Sequence, residues 1–146
     1  MKISIEEIDA AVEEEIIIRC HQVDQEILEL CRKIKKNQNF ISAVYKEEIY
    51  KLPVREILYF ETVDNKAFFY CADRVYETRL KLYEFEEMSE GTSFFRASKS
   101  VILNADKIRC VKPALNGRFE ATMENDEKVM ISRQYVTDLK KAFGIK

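Results

Sequence analysis

The stretch KIRCVKPALNGRFEATM, residues 107–123, decides the fold. Asn116-Gly117 is the dipeptide of a type I′ turn, because both residues tolerate positive φ and that turn matches the twist of two antiparallel strands. Before it, Ile108 and Cys110 alternate with Lys107, Arg109 and Lys112. After it, Phe119, Ala121 and Met123 alternate with polar residues. Period-two patterns on both sides of such a turn predict a β-hairpin with one buried face.

Working outward, the pattern repeats. Asn125-Asp126 marks a second turn leading to a strand over 128–131. Toward the N-terminus, short extended segments are expected at 94–97 and 100–103. Hairpins are expected at 40–45 with 48–52, and at 67–71 with 74–78 across Ala72-Asp73. Pro53 breaks the first of these, and EILYF (56–60) reads as a buried strand. Two short helices interrupt the strands. One covers 80–88, with Leu82 and Phe85 on one side and Gly91 past its end. The other follows Ser132, a candidate N-cap, with Val136, Leu139 and Phe143 on one face before Gly144. The fold class is therefore α+β, predominantly antiparallel β with short helices. GxGxxG and GxxxxGK[ST] are absent, which argues against a βαβ nucleotide fold.

Residues 1–38 read as a small N-terminal extension of strands and one amphipathic helix, and 39–146 as the main domain. Lys2 to Ile5 alternate like a strand, although Ser4 with Glu7 also fits a capping box opening a helix through Val12. Glu15 to Cys20 holds the β-branched run Ile16-Ile17-Ile18, typical of a buried strand. Asp24 can cap a helix whose apolar face is Val23, Ile27, Leu30, Cys31 and Ile34, ending in Arg32, Lys33, Lys35 and Lys36.

The 146 residues carry a net charge of −2, unevenly spread. Residues 1–38 hold 6 basic and 9 acidic side chains, residues 39–91 hold 7 and 11, and residues 92–146 hold 11 and 6. Between 92 and 118, Arg96, Lys99, Lys107, Arg109, Lys112 and Arg118 face Asp106 alone. Such a patch can attract phosphates on an acidic chain, or be a solvated strand face. Lone His21 has no partner for a triad or a metal cluster, and no carboxylate pair stands out, so neither an enzyme nor a metal or cofactor site is expected. Cys20, Cys31, Cys71 and Cys110 form no CxxC pair and read as plain buried thiols of a reducing compartment. With no apolar run near 18 residues and no signal-like start, a cytoplasmic protein without membrane insertion is expected.

Four segments in order carry a resemblance: EILYFE (56–61), LKLYEFE (80–86), FFRASKS (94–100) running into VILN (101–104) and Ile108, and ISRQYV (131–136). Together they resemble the LytTR family of bacterial DNA-binding domains over about residues 39–146. The extension resembles that of small, standalone members without a receiver domain, which favours a strand for residues 2–7. Asp9 and Asp24 lie in segments too short to build a phosphoacceptor domain. Where the family has a histidine, this chain reads Ala97-Ser98-Lys99-Ser100.

The resemblance implies a transcription regulator that inserts loops into successive major grooves of double-stranded DNA, as a homodimer on promoter repeats. Carried over by motif position, Lys99, Arg133 and one of Asn65 or Lys66 would read bases. Arg and Lys match guanine O6 and N7, and Asn matches adenine. A plain surface role for Lys99 and Arg133 stands beside that reading. Ser98, Ser100, Ser132 and Tyr135 can donate to phosphates, which fixes register without reading sequence. Arg96 and Lys112 are expected to hold phosphates, with pairing to an acid as the alternative for Arg96. Phe94, Phe95, Ile102, Ile108, Val129 and Ile131 read as core, and Asn104 as a tie between strands. The competing class is a non-catalytic module that partners a membrane or signalling component, suggested by the overall acidity. A regulatory partner protein is a further expectation.

Overall fold

Residues Ile57, Leu58, Tyr59 and Phe60 are buried one after another, a pattern that requires cover on both faces of a strand. They begin β3 (Ile57–Val63) in a computed structural model that describes residues 1–36 and 40–145. The other strands are β1 (Phe40–Tyr45), β2 (Glu48–Pro53), β4 (Lys66–Cys71), β5 (Val75–Thr78), β6 (Phe94–Arg96), β7 (Val101–Asn104), β8 (Ile108–Pro113), β9 (Phe119–Met123) and β10 (Lys128–Ile131). The helices among the described residues are α1 (Gln25–Lys36), α2 (Leu82–Met88) and α3 (Val136–Phe143).

A seven-stranded sheet runs β2-β1-β5-β4-β3-β7-β6, and a three-stranded sheet runs β10-β9-β8, antiparallel throughout. One face of the large sheet packs Phe60, Phe69 and Ile102 on Phe85 of α2, whose ring lies 5.1 Å from both Phe60 and Phe69. The other face packs Leu58, Tyr59, Val101 and Leu103 against Ile108, Ala121, Met123 and Ile131 of the small sheet and Leu139 of α3. A register shift between Ile57 and Tyr59 reconciles the consecutive burial with two separate cores.

The turns carry the geometry that the sequence anticipates. Asn116 (φ 63°) and Gly117 (φ 73°) are both left-handed, as a type I′ turn requires. Asp64 (φ 49°) and Asn65 (φ 65°) do the same between β3 and β4 without a glycine. Asn104 is buried and ties strands: its Nδ2 donates to Ile57 O at 2.9 Å, and its Oδ1 accepts from Ser93 Oγ at 2.7 Å and Asp106 N at 3.1 Å. Tyr59 stacks on Tyr70 at 4.2 Å. Tyr59 Oη donates to Glu127 at 2.5 Å and Tyr70 Oη to Glu61 at 2.9 Å. Burial first, and then these carboxylates, push both phenols up, Tyr70 to about 12.

Four expectations change. Lys2–Ile5 and Glu15–Cys20 form no strand, because no sheet edge in this chain pairs with them, and the capping-box helix from Ser4 is not formed either. Instead Asp9 closes a turn, its Oδ1 accepting from Ala11 N and its carbonyl from Val12 N, both at 2.9 Å. Cys110 faces solvent, since a bulge between Ile108 and Cys110 turns Val111 inward in its place. Cys20 is also exposed, Cys31 is half-buried, and only Cys71 is buried as a core thiol. Ser132 makes no side-chain cap; it precedes a 3₁₀ turn, Arg133–Tyr135, that leads into α3. The expected boundary between 38 and 39 lies outside the described residues. Asp24 does cap α1, its Oδ1 accepting from Ile27 N at 3.0 Å.

Candidate nucleic-acid interface

Antiparallel pairing decides which loops meet. β3 runs toward the Asp64–Asn65 turn, and β7 starts from the 97–100 loop, with Glu61 opposite Val101. Thr62 N donates to Ser100 O at 2.9 Å, so that loop lies against the last residues before the turn. Ser132 N donates to Ala97 O at 2.8 Å, which brings the end of β10 to the same loop. Phe119 sits opposite Ile131, so the β8–β9 turn opens at this end too. The side chain of Arg133 lies on that turn. A β-carbon added at Gly117 would stand 2.9 Å from Arg133 Cδ and 3.1 Å from its Cγ.

Four residues expected to read bases therefore gather at one end of the two sheets: Lys99, Arg133, Asn65 and Lys66, all exposed. Ser98, Ser100 and Ser132 are half-buried among them. The Ser98 hydroxyl accepts from Ser100 N at 3.3 Å, a local turn that shapes the loop tip. No ion pair involves Lys66, Lys99 or Arg133 among the described residues. Their charges are not spent on the protein's own carboxylates.

Arg96 is placed differently. Its Nε donates to Ser98 O at 2.7 Å and its Nη2 to Lys99 O at 2.8 Å, while Nη1 pairs with Glu86 at 3.2 Å. The guanidinium also lies 5.6 Å from the Tyr135 ring, which packs into the core behind it. A planar fork with five donors suits this work, because it holds two carbonyls and a carboxylate at once. Arg96 thus clamps the loop that carries Lys99 to α2. Lys112 lies on the exposed side of β8 just behind the turn. Its Nζ is 3.6 Å from Glu120 Oε1, which Lys128 approaches from the other side at 3.8 Å. Both contacts are at ion-pair range, and the Glu120 oxygen accepts no hydrogen bond there.

Arg118 joins the cluster, although in the sequence it stands only as one member of a basic stretch. It follows Gly117 directly, is exposed, and its Nε donates to Leu115 O at 3.1 Å, leaving its terminal nitrogens outward. The signal that finds it is its place beside a type I′ turn, where a side chain projects from a rigid tip. Among the described residues no group of three or more His, Cys, Asp or Glu could hold a metal ion. No helix is long and apolar enough to cross a membrane.

Comparison with known proteins bears on the fold. Residues 47–144 match the family model of the LytTr DNA-binding domain. The sensory transduction protein LytT of Bacillus subtilis is 24% identical over 124 residues, which is 85% of this chain and 52% of that protein. The transcriptional regulatory protein YpdB of Escherichia coli K12 is 26% identical over 108 residues, 73% of this chain and 44% of that protein. This chain thus spans about half the length of these relatives. A solved LytTr DNA-binding domain from Bacillus cereus superposes with a TM-score of 0.68 at 24% identity, covering 73% of this chain and 98% of that one.

Proposed function

The chain belongs to the LytTR family of DNA-binding domains, and from that premise we propose that it is a sequence-specific transcription regulator that reads the major groove of duplex DNA through loops. The observation that carries the reading is the convergence of the 64–66, 97–100, 115–118 and 132–133 segments at one end of both sheets. Lys99 and Arg133, with Asn65 or Lys66, read base edges, and Arg118 adds a cation to the same surface. Ser98, Ser100, Ser132 and Tyr135 supply donors to phosphates, and Lys112 draws the backbone in by charge. Arg96 acts on phosphates chiefly through the loop it clamps. No catalytic step is assigned to these residues.

The names of LytT and YpdB support regulation as the task. Residues 39–146 serve as the reading domain and 1–38 as a separate extension. Two protomers bind adjacent half-sites in the cytoplasm, since linked weak modules gain affinity through effective concentration.

The test is a binding titration on genomic fragments, followed by footprinting. A protected repeat and a steep loss of affinity with salt support the reading. Equal, weak binding to every fragment overturns it.

A further inference from the structure

Residues 1–23 form an arm that this chain alone leaves uncovered. Ile3 is 89% exposed and Ile5 92%, and Ile16 and Ile17 are each 65% exposed. A run of exposed isoleucines in a folded protein marks a surface that something covers. Apart from the Asp9 turn, no backbone hydrogen bond joins this arm to the rest of the described residues. Its β-branched segments have the composition of strands but pair with none. Helix α1 is in the same condition: Ile27 is buried, but Leu28 and Leu30 stay exposed. Met1 reaches α1, yet a shallow cleft of about 260 Å³ remains between Met1, Glu26, Ile27, Glu29, Leu30 and Lys33.

The charges say what fits. The arm carries Glu6, Glu7, Asp9, Glu13, Glu14 and Glu15 against Lys2 and Arg19. That composition repels nucleic acid and anionic lipid. The last half of α1 carries Arg32, Lys33 and Lys35, all exposed, with no ion pair to them or to the six acids among the described residues. One chain therefore holds both an acidic apolar arm and a helix with a basic C-terminal half, each without a mate.

We propose that residues 1–36 are the contact with a second copy of this chain, the acidic arm of one protomer lying on α1 of the other. A two-fold axis lets each arm meet each helix, so that both contacts form together and the interface closes. An apolar side chain of the visiting arm fills the cleft beside Ile27, and its glutamates meet Arg32 and Lys35. This names the surface behind the two-protomer reading above. Its test needs no DNA, so failure of the interface and failure of DNA recognition are separate results.

The experiment measures mass in solution for the full chain by sedimentation over a concentration series. Variant one carries Glu13→Lys, Glu14→Lys and Glu15→Lys; variant two carries Arg32→Glu and Lys35→Glu. All five positions are exposed, and circular dichroism checks that each variant is folded. The wild type is expected to be a dimer, and each variant alone to dissociate at least about tenfold more readily. Mixed in equal amounts, the two variants are expected to form a heterodimer, because each charge-reversed arm then meets a helix of opposite sign. A wild type that stays monomeric overturns the proposal. So do variants that dimerise as well as the wild type. Variants that dissociate alone and are not rescued by mixing also overturn it, since the charges then act within one chain.

Discussion

The aliphatic stem of Arg133 rests on the backbone of Gly117, with room for no β-carbon between them: one placed there would be 2.9 Å from Arg133 Cδ. Two loops distant in sequence thus share one surface. Gly117 also holds φ at 73°, where an L side chain is strained. Gly117→Ala is expected to cost about 1–2 kcal/mol of stability from the backbone alone. It should also displace Arg133, so that affinity for the specific DNA site falls more than affinity for scrambled DNA. Denaturant midpoints and paired titrations check both. A variant that loses stability but keeps its discrimination would show that the contact does not orient Arg133.

The proposed reading residues are expected to separate from the proposed holding residues by their response to sequence. Lys99→Ala and Arg133→Ala are each expected to cost about 1–3 kcal/mol on the specific site and far less on scrambled duplex. Lys112→Ala is expected to weaken both duplexes alike and flatten the salt dependence. Arg96→Ala is expected to weaken both as well, with faster amide exchange at 98–100 as its own signature, because the clamp on the loop carbonyls is gone. Equal losses on both duplexes for Lys99→Ala and Arg133→Ala would remove them from the list of base readers.

Asn104 is buried and spends its amide on the Ile57 carbonyl, Ser93 and the Asp106 amide. Asn104→Ala leaves the Ile57 carbonyl and Asp106 amide without their side-chain partner in a buried place. The expected loss is about 2–3 kcal/mol, read from chemical denaturation. DNA affinity of the folded fraction should stay as it was.

Alkaline pH tests the two stacked tyrosines. Burial raises the Tyr70 phenol from 10.0 to about 12, and the Glu61 carboxylate adds to it. A raised folded pKa gives stability that is whole below pH 10 and is lost as pH climbs toward about 12. Tyr70→Phe removes that titration. Its stability should fall less between these limits than the wild type's, as followed by denaturation midpoints across the window. Parallel curves for the two proteins would refute the linkage.

Most of the β framework was legible because turn chemistry and period-two burial point the same way at Asn116-Gly117 and along β3 and β4. The inward set of β8 was not. Its bulge adds a residue, and a bulge leaves no mark in a pattern of alternating side chains, so Cys110 reads as the inward residue where the half-buried Val111 turns in instead. The arm failed for another reason. Ile16-Ile17-Ile18 has the composition of a strand, but strand formation needs a neighbouring edge, and composition does not say whether the chain supplies one. Lys99 and Arg133 could be chosen only through the family motifs. Their neighbourhood depends on the Ser132–Ala97 bond and the β3–β7 register, which no local pattern encodes. Sequence leaves Arg96 between a phosphate and an acid partner for the same reason: Glu86 and the carbonyls of 98 and 99 become its neighbours only after folding.

Lys66, Lys99, Arg118 and Arg133 sit on four separate connections, each anchored by strands whose buried residues lie elsewhere. A turn can therefore change its lettering without disturbing the frame that presents it. The domain resembles a type holder more than a fixed stamp: under the proposed reading, single replacements at the tips are expected to change the target sequence, while Phe60, Phe85, Ala121 and Leu139 keep the holder rigid.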